Sequence, residues 1–212
     1  TNFYANNKLN DMKNIVLLGA TGSIGKSCLN VIRQNQEHFH LFGIGFRSNL
    51  DKAQEIVQEF NPDYVYVAQS QTDKSNDFRK IHSNTLSSDD ELKGLIQDPN
   101  VDIVISAISG FAGLKASYFA IKAGKTILVA NKESIVAAGD ILMPLAEMKD
   151  SEIIPVDSEH NALYQCLPRA RNLDEISKIL ITASGGPFRG KSLSELKGVS
   201  LEETLKHPTW SM

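Results

Sequence analysis

The residues with the most chemistry to offer are Asp157 and Glu159, inside the stretch Ile153-Ile154-Pro155-Val156-Asp157-Ser158-Glu159-His160-Asn161. An apolar run that reads as a strand ends there in two carboxylates with one residue between them. Charged groups just after a buried strand are costly to keep dry unless they are paired or bind a metal. At this spacing both carboxylates can direct oxygen into one pocket at a strand end. Oxygen-only donors suit Mg²⁺ or Mn²⁺ rather than zinc. The same residues could instead begin a helix, with Asp157 or Ser158 as its cap and Glu159 at the positive end of its dipole. What precedes them in the chain weighs toward a functional role.

A second constellation stands near the start. Ile15-Val16-Leu17-Leu18 has the continuous apolar character of a buried parallel strand. It runs into Gly19-Ala20-Thr21-Gly22-Ser23-Ile24-Gly25 and then an amphipathic segment from Lys26 to Arg33. Glycines at every third position between a strand and a helix make a nucleotide-binding turn, here GxxGxxG rather than GxGxxG. Gly19 permits the tight turn, Gly22 lets backbone approach a pyrophosphate, and Gly25 lets the helix pack against the strand. The next strand, His40 to Phe46, ends in Arg47-Ser48-Asn49, with no acid before Asp51. An NAD site wants an acid about 20 residues past the glycines for the ribose 2′-hydroxyl. Arg47 instead offers a cation for a 2′-phosphate, with Ser48 and Asn49 as neutral donors. NADP(H) is therefore favoured over NAD(H).

The elements that must position these residues alternate strand and helix. A helix over 50–60 is stopped by Asn61-Pro62-Asp63, and Tyr64 to Val67 is a strand. Residues 69–90 read as a polar, variable loop, with a short helix somewhere in 85–97. Asp102 to Ala107 is a buried strand, followed by a Gly-rich turn and a helix to Ala123 that Gly124 closes. Thr126 to Ala130 delivers Asn131-Lys132-Glu133 at its carboxyl end, before a helix over 134–149. In doubly wound sheets ligands sit outside the carboxyl ends of the strands, so this triplet shares a rim with the glycine turn. Asn131 can donate and accept, Lys132 suits a phosphate or hydroxyl, and Glu133 can accept from a ribose. The strand 152–156 then brings Asp157 and Glu159 to the same edge. Further on, a strand over 177–183 leads into Ser184-Gly185-Gly186-Pro187-Phe188, whose amides could form an anion nest with Ser184 as a phosphate ligand. Short helices are expected near 194–197 and over 201–206. The last residues, His207-Pro208-Thr209-Trp210-Ser211-Met212, read as a mobile loop.

The totals narrow the field. A chain of 212 residues can bury a real core as one large domain or two modest ones. A net charge of −3 argues against nucleic acid as the main partner. No apolar run approaches the roughly 20 residues that span a bilayer, so no membrane partner is expected. Cys28 and Cys166 make no disulfide framework, and Cys28 reads as a buried thiol in a reducing compartment. Residues 1–14 are Asn-rich, lack the apolar core of a secretory signal and begin at Thr, which suggests a trimmed, poorly ordered lead-in.

Five motifs stand in order: Gly-Ala-Thr-Gly-Ser-Ile-Gly (19–25), Ala-Asn-Lys-Glu-Ser (130–134), Pro-Val-Asp-Ser-Glu-His (155–160), Ser-Gly-Gly-Pro-Phe (184–188) and His-Pro-x-Trp-Ser-Met (207–212). Across about residues 13–212 the chain resembles the 1-deoxy-D-xylulose 5-phosphate reductoisomerases. That resemblance implies an α/β chain with a Rossmann-type, parallel-sheet NADPH domain over 1–156. The first part of an α+β catalytic domain would follow over 157–212. It implies rearrangement of 1-deoxy-D-xylulose 5-phosphate with help from Mg²⁺ or Mn²⁺. NADPH reduction to 2-C-methyl-D-erythritol 4-phosphate, on the non-mevalonate isoprenoid route, would complete the reaction. Asp157 and Glu159 would ligate the metal, with Lys132 and His207 joining them as catalytic residues. Substrate would meet Lys132, Ser158, Glu159, Ser184 and His207, with Trp210 in a closing lid. NADPH would meet Gly19, Thr21, Gly22, Ser23, Ile24, Asn131 and Glu133. Arg47-Ser48-Asn49 matches the family's 2′-phosphate turn in place and varies from it in type.

The family continues past His-Pro-x-Trp-Ser-Met with an Asn-Lys pair, a third metal carboxylate and a C-terminal helical domain. None of these is among the 212 residues. Two carboxylates leave a divalent ion mostly hydrated, so this chain alone is expected to bind NADPH and not to turn over substrate. The competing readings are another NADP-dependent dehydrogenase and a non-catalytic NADPH-binding remnant. A homodimer, and a bacterial cytoplasm or plastid-type organelle, are further expectations from the resemblance.

Overall fold

A computed structural model of the chain describes residues 12–68, 72–167, 174, 176–181 and 185–206. They fall into two compact units, Thr1–Tyr164 and Gln165–Met212. In the first, β1 (Lys13–Leu18), β2 (Phe39–Phe46), β3 (Tyr64–Val67), β4 (Thr85–Leu86), β5 (Ile103–Ser106), β6 (Thr126–Val129) and β7 (Ile153–Pro155) form one sheet in the order β4-β3-β2-β1-β5-β6-β7. All neighbouring strands are parallel. Helices α1 (Ser23–Gln34), α2 (Leu50–Phe60), α3 (Thr72–Arg79), α4 (Asp89–Gln97), α5 (Leu114–Lys122) and α6 (Lys132–Lys149) supply the crossovers, and α7 (Ser158–Cys166) follows β7.

The apolar strands are continuous because both faces of the sheet are covered. Alternate residues of β1 serve different cores: Ile15 and Leu17 pack with Leu29, Ile32 and Ile56, while Val16 and Leu18 pack with Leu95, Ala116 and Ile121. In β2 the alternation slips. The register with β1 shifts between Ile15 and Val16, so Phe42 has no opposite residue and joins the second core, between Leu41 and Ile44 of the first. An extra residue at a bulge has that effect.

Strand order reverses between β1 and β5, each of which begins one of the two sheet halves. This is where doubly wound sheets open a ligand crevice. The ends are level, since Leu18 pairs Ser106, Ser106 pairs Val129 and Val129 pairs Pro155. Every strand therefore delivers its following loop to one rim.

Four expectations need correction. Residues 69–90 carry a helix, α3, and the two-residue strand β4, where the polar composition suggested only a loop. Phe78, fully buried, and half-covered Leu86 anchor that segment, and one aromatic in a polar run is a weak periodic signal. Lys13 and Asn14 belong to β1 rather than to a disordered lead-in, tied down by Asp102: its carboxylate accepts from Lys13 Nζ at 3.0 Å and Asn14 N at 2.9 Å. In the second unit, residues 178–181 take no regular structure, and Ile179, Leu180 and Ile181 are exposed. A strand needs a ladder partner, and none pairs with this stretch among the described residues. Residues 193–198 form turns instead of a helix, whereas α8 (Leu201–Leu205) forms behind a Ser200–Glu203 capping box. Among the described residues no helix is long and apolar enough to cross a membrane.

Candidate functional site

The glycine turn is built by backbone contacts that leave no room for side chains. Gly19 has φ +87°, and a Cβ there would lie 2.3 Å from the Ala107 carbonyl oxygen, after β5. A Cβ on Gly25 would lie 2.4 Å from the Gly19 carbonyl oxygen, so the start of α1 sits directly on the turn. The amides of Gly19 and Ala20 donate to the Gly45 carbonyl at 2.8 and 3.0 Å, fixing the turn to the end of β2. Helix α1 then follows the N-cap Gly22, with no side-chain cap and no acid in its first turn. The first amides of a helix have no internal partner, so Ser23, Ile24 and Gly25 present donors at the positive end of a dipole. An anion fits there.

At the end of β2, Arg47, Ser48 and Asn49 are exposed. Asn49 caps α2, its side-chain oxygen accepting from Lys52 N at 3.1 Å. Lys52 Nζ in turn donates to the Thr21 carbonyl at 2.9 Å, tying α2 to the glycine turn.

Across the switch point the rim is made differently. Asn131 is 2% exposed, and its side chain is fully engaged. Its amide nitrogen donates to the carbonyls of Ile108, at 2.5 Å, and Gly110, while its oxygen accepts from Ser134 N at 2.9 Å and from the Ser134 hydroxyl. It clamps the loop after β5 to the start of α6. Gly113 is glycine for the same reason, since a Cβ there would lie 2.7 Å from Asn131 Nδ2. Lys132 and Glu133 follow in the first turn of α6, both exposed.

Asp157 caps α7. Its Oδ2 accepts from His160 Nδ1 at 2.7 Å and His160 N at 3.3 Å, and its side chain is only 13% exposed. Burial alone would raise its pKa. The two bonds from His160 and the charges of His160 and Lys132 outweigh that and hold the carboxyl below its ordinary value. The cap and the ligand readings of Asp157 thus concern one carboxylate, and the field of Lys132 reaches it from the neighbouring strand end. Ser158 and Glu159 stand exposed in the first turn of α7. From the end of β1 to the end of β7 is three strand spacings, roughly 14 Å. Ser184, His207 and Trp210 lie outside the described residues, as does most of the stretch before Lys13. Gly185, beside Ser184, has φ +79°, a left-handed turn position.

The family described as 1-deoxy-D-xylulose 5-phosphate reductoisomerase matches residues 15–139, and the C-terminal domain of the same enzyme matches residues 153–212. The chain belongs to the 1-deoxy-D-xylulose 5-phosphate reductoisomerase family. A reductoisomerase of Agathobacter rectalis is 43% identical over 208 residues, covering 95% of this chain and 53% of its own length. One from Francisella tularensis subsp. novicida is 44% identical over 200 residues, covering 93% and 52%. A crystal structure of DOX-P reductoisomerase with NADPH, fosmidomycin and magnesium superposes with a TM-score of 0.81 at 38% identity, over 95% of this chain and 52% of that one. The Zymomonas mobilis reductoisomerase with NADPH gives 0.81 at 36% identity, over 91% and 51%. The chain spans about half the length of the curated relatives it matches. The α/β parallel-sheet expectation and the family resemblance both hold.

Solved relatives of the family hold NADPH and magnesium. The uncapped start of α1 and the close-packed glycines form a cradle that suits a pyrophosphate. Asp157 and Glu159 supply oxygen donors of the kind Mg²⁺ and Mn²⁺ take, though no three metal-binding side chains cluster among the described residues. Sequence reasoning missed Lys52, Gly113 and His160. Asp157-x-x-His160 has the spacing of a cap and its third residue, and Asn49-x-x-Lys52 repeats it, so both were open to a cap-based search. Gly113 had no local signal, since its constraint comes from Asn131, at the start of α6.

Proposed function

We propose that this chain is the NADPH-binding part, and the start of the catalytic part, of an enzyme converting 1-deoxy-D-xylulose 5-phosphate to 2-C-methyl-D-erythritol 4-phosphate. The observation that carries it is the single rim. One parallel sheet brings the glycine turn, Lys132-Glu133 and Asp157-Ser158-Glu159 to the same edge in a chain of this family. Domain limits at 1–156 and 157–212, and assembly as a homodimer, belong to the same proposal.

The bound groups would supply a hydride from NADPH and, from Mg²⁺ or Mn²⁺, polarisation of the substrate's carbonyl and hydroxyl oxygens. The chain's own residues do the rest. The amides of Ser23 and Ile24, with Thr21 and Gly22, hold the pyrophosphate. Arg47 and Ser48 meet the 2′-phosphate. Asn49 acts there mainly by fixing the turn through its bond to Lys52. Asn131, which clamps the loop after β5, would contact NADPH, and Glu133 would accept from a ribose. Asp157 and Glu159 would hold the metal, with His160 favouring the ionised form of Asp157, and Lys132 would orient a substrate oxygen. Ser158, Ser184 and His207 would bind the substrate, with Trp210 closing over it to exclude water.

Calorimetric titration of the chain tests this. NADPH binds, and 1-deoxy-D-xylulose 5-phosphate then binds more tightly with Mn²⁺ than with EDTA. NADPH binding with no effect of the metal on substrate binding would favour another NADP-dependent dehydrogenase. The chain alone, with two carboxylates to hold the ion, oxidises NADPH no faster with substrate and Mn²⁺ than without. Steady turnover would refute that two-ligand limit.

A further inference from the structure

We propose that Lys52 is a second cation of the cofactor's 2′-phosphate pocket, acting with Arg47 to select NADP(H) over NAD(H). This rests on the dinucleotide reading of the glycine turn. In a doubly wound fold the adenosine ribose lies over the seam between the first strand–helix turn and the end of the second strand. Lys52 bridges that seam. It is the third residue of α2, its backbone amide held by the Asn49 cap, and its ammonium donates at 2.9 Å to the Thr21 carbonyl in the glycine turn. Side chains in a helix lean toward its N-terminus, which carries this one back toward Arg47 and the rim.

The bond is an odd one if its purpose is structural. An ammonium has three donors, and a neutral carbonyl takes one of them. No carboxylate lies within ion-pair range of Lys52 among the described residues, and Asp51 beside it is exposed. Ordering a half-buried Lys against a single carbonyl costs side-chain entropy for a modest return. The arrangement makes sense when the other donors meet a dianion. A compact ammonium suits a phosphate oxygen, whereas Arg47, exposed at the mouth, has the fork that grips a phosphate from outside.

The test is the affinity of the chain for NADPH and NADH, by calorimetry, for the wild type, Lys52→Met and Lys52→Arg. The proposal expects Lys52→Met to weaken NADPH by roughly ten- to a hundredfold, the range of a charge-assisted hydrogen bond. NADH affinity should stay within about twofold, and Lys52→Arg should restore most of the preference. Equal weakening of both cofactors would overturn it, leaving Lys52 a brace for the glycine turn. No change in either would also overturn it. A wild-type chain that binds neither cofactor would instead sink the dinucleotide reading, and this proposal with it.

Discussion

Helices α1 and α6 both start at the carboxyl rim, after β1 and β6, yet their first turns are finished in opposite ways. At α1 the turn is glycine, no side chain caps the helix, and the open amides are the functional atoms. At α6 the cap is Asn131, buried and fully bonded, and function passes to the exposed residues after it. Helix α7 is intermediate, since Asp157 caps it while remaining a candidate ligand. A backbone site must be kept empty of side chains. A side-chain site must first be braced, and bracing uses residues that look functional in the sequence.

The largest expected effect breaks the glycine half. Gly25→Ala puts a methyl 2.4 Å from the Gly19 carbonyl oxygen, backbone that cannot step aside cheaply. It should cost about 3 kcal/mol in urea unfolding and abolish measurable NADPH binding. Retained NADPH affinity would show that the turn's close packing is incidental.

Asn131→Asp sharpens the other half. It keeps the acceptor for Ser134 but removes the donors to the Ile108 and Gly110 carbonyls and sets a carboxylate against them. A loss of about 2 kcal/mol in stability is expected. Weakened NADPH binding without loss of stability would instead make Asn131 a direct ligand.

Asp157→Asn separates cap from ligand. An amide oxygen still caps α7, so stability should change by less than about 1 kcal/mol. The effect of Mn²⁺ on substrate binding should fall at least tenfold or so as one anionic ligand is lost. An unchanged metal effect would confine Asp157 to capping.

The smallest effect lies at the opposite, amino edge, and serves as a control for the rim. Burial would raise the carboxyl of Asp102, but hydrogen bonds from Asn14 N and Lys13 and the charges of Lys13 and Lys125 outweigh it and lower its pKa. A carboxylate with a depressed folded-state pKa stabilises above its unfolded pKa, and that contribution is lost as pH falls through the folded value. Asp102→Asn should therefore flatten the acid limb of a stability–pH curve. The change should stay below about 1 kcal/mol, since the Lys13 pair is partly exposed. NADPH affinity at neutral pH should not move.

Local sequence determined a good deal. Apolar runs bounded by Gly, Pro and Asn located six of the seven strands, because a strand buried on both faces must be apolar throughout. The glycine spacing located the turn, because close backbone approach excludes side chains whatever lies around it. The same logic failed for β4, whose two residues are too short to carry a period, and for 178–181, where an apolar run formed no strand. A ladder needs a partner, and composition does not supply one.

The candidate site divides the same way. That Lys132, Glu133, Asp157 and Glu159 share a rim with the glycine turn was legible, since parallel strands all end on one side. Only the tertiary structure decided what each residue is occupied with. Asn131, expected to contact NADPH, is shown only by the structure to clamp the loop after β5, and only the structure shows the Lys52 ammonium on Thr21. Those contacts join residues 21 and 31 positions apart. Strand and turn patterns are local and survive in one dimension. Partnerships between loops depend on the order in which the strands lie side by side, and that order is settled only when the sheet assembles.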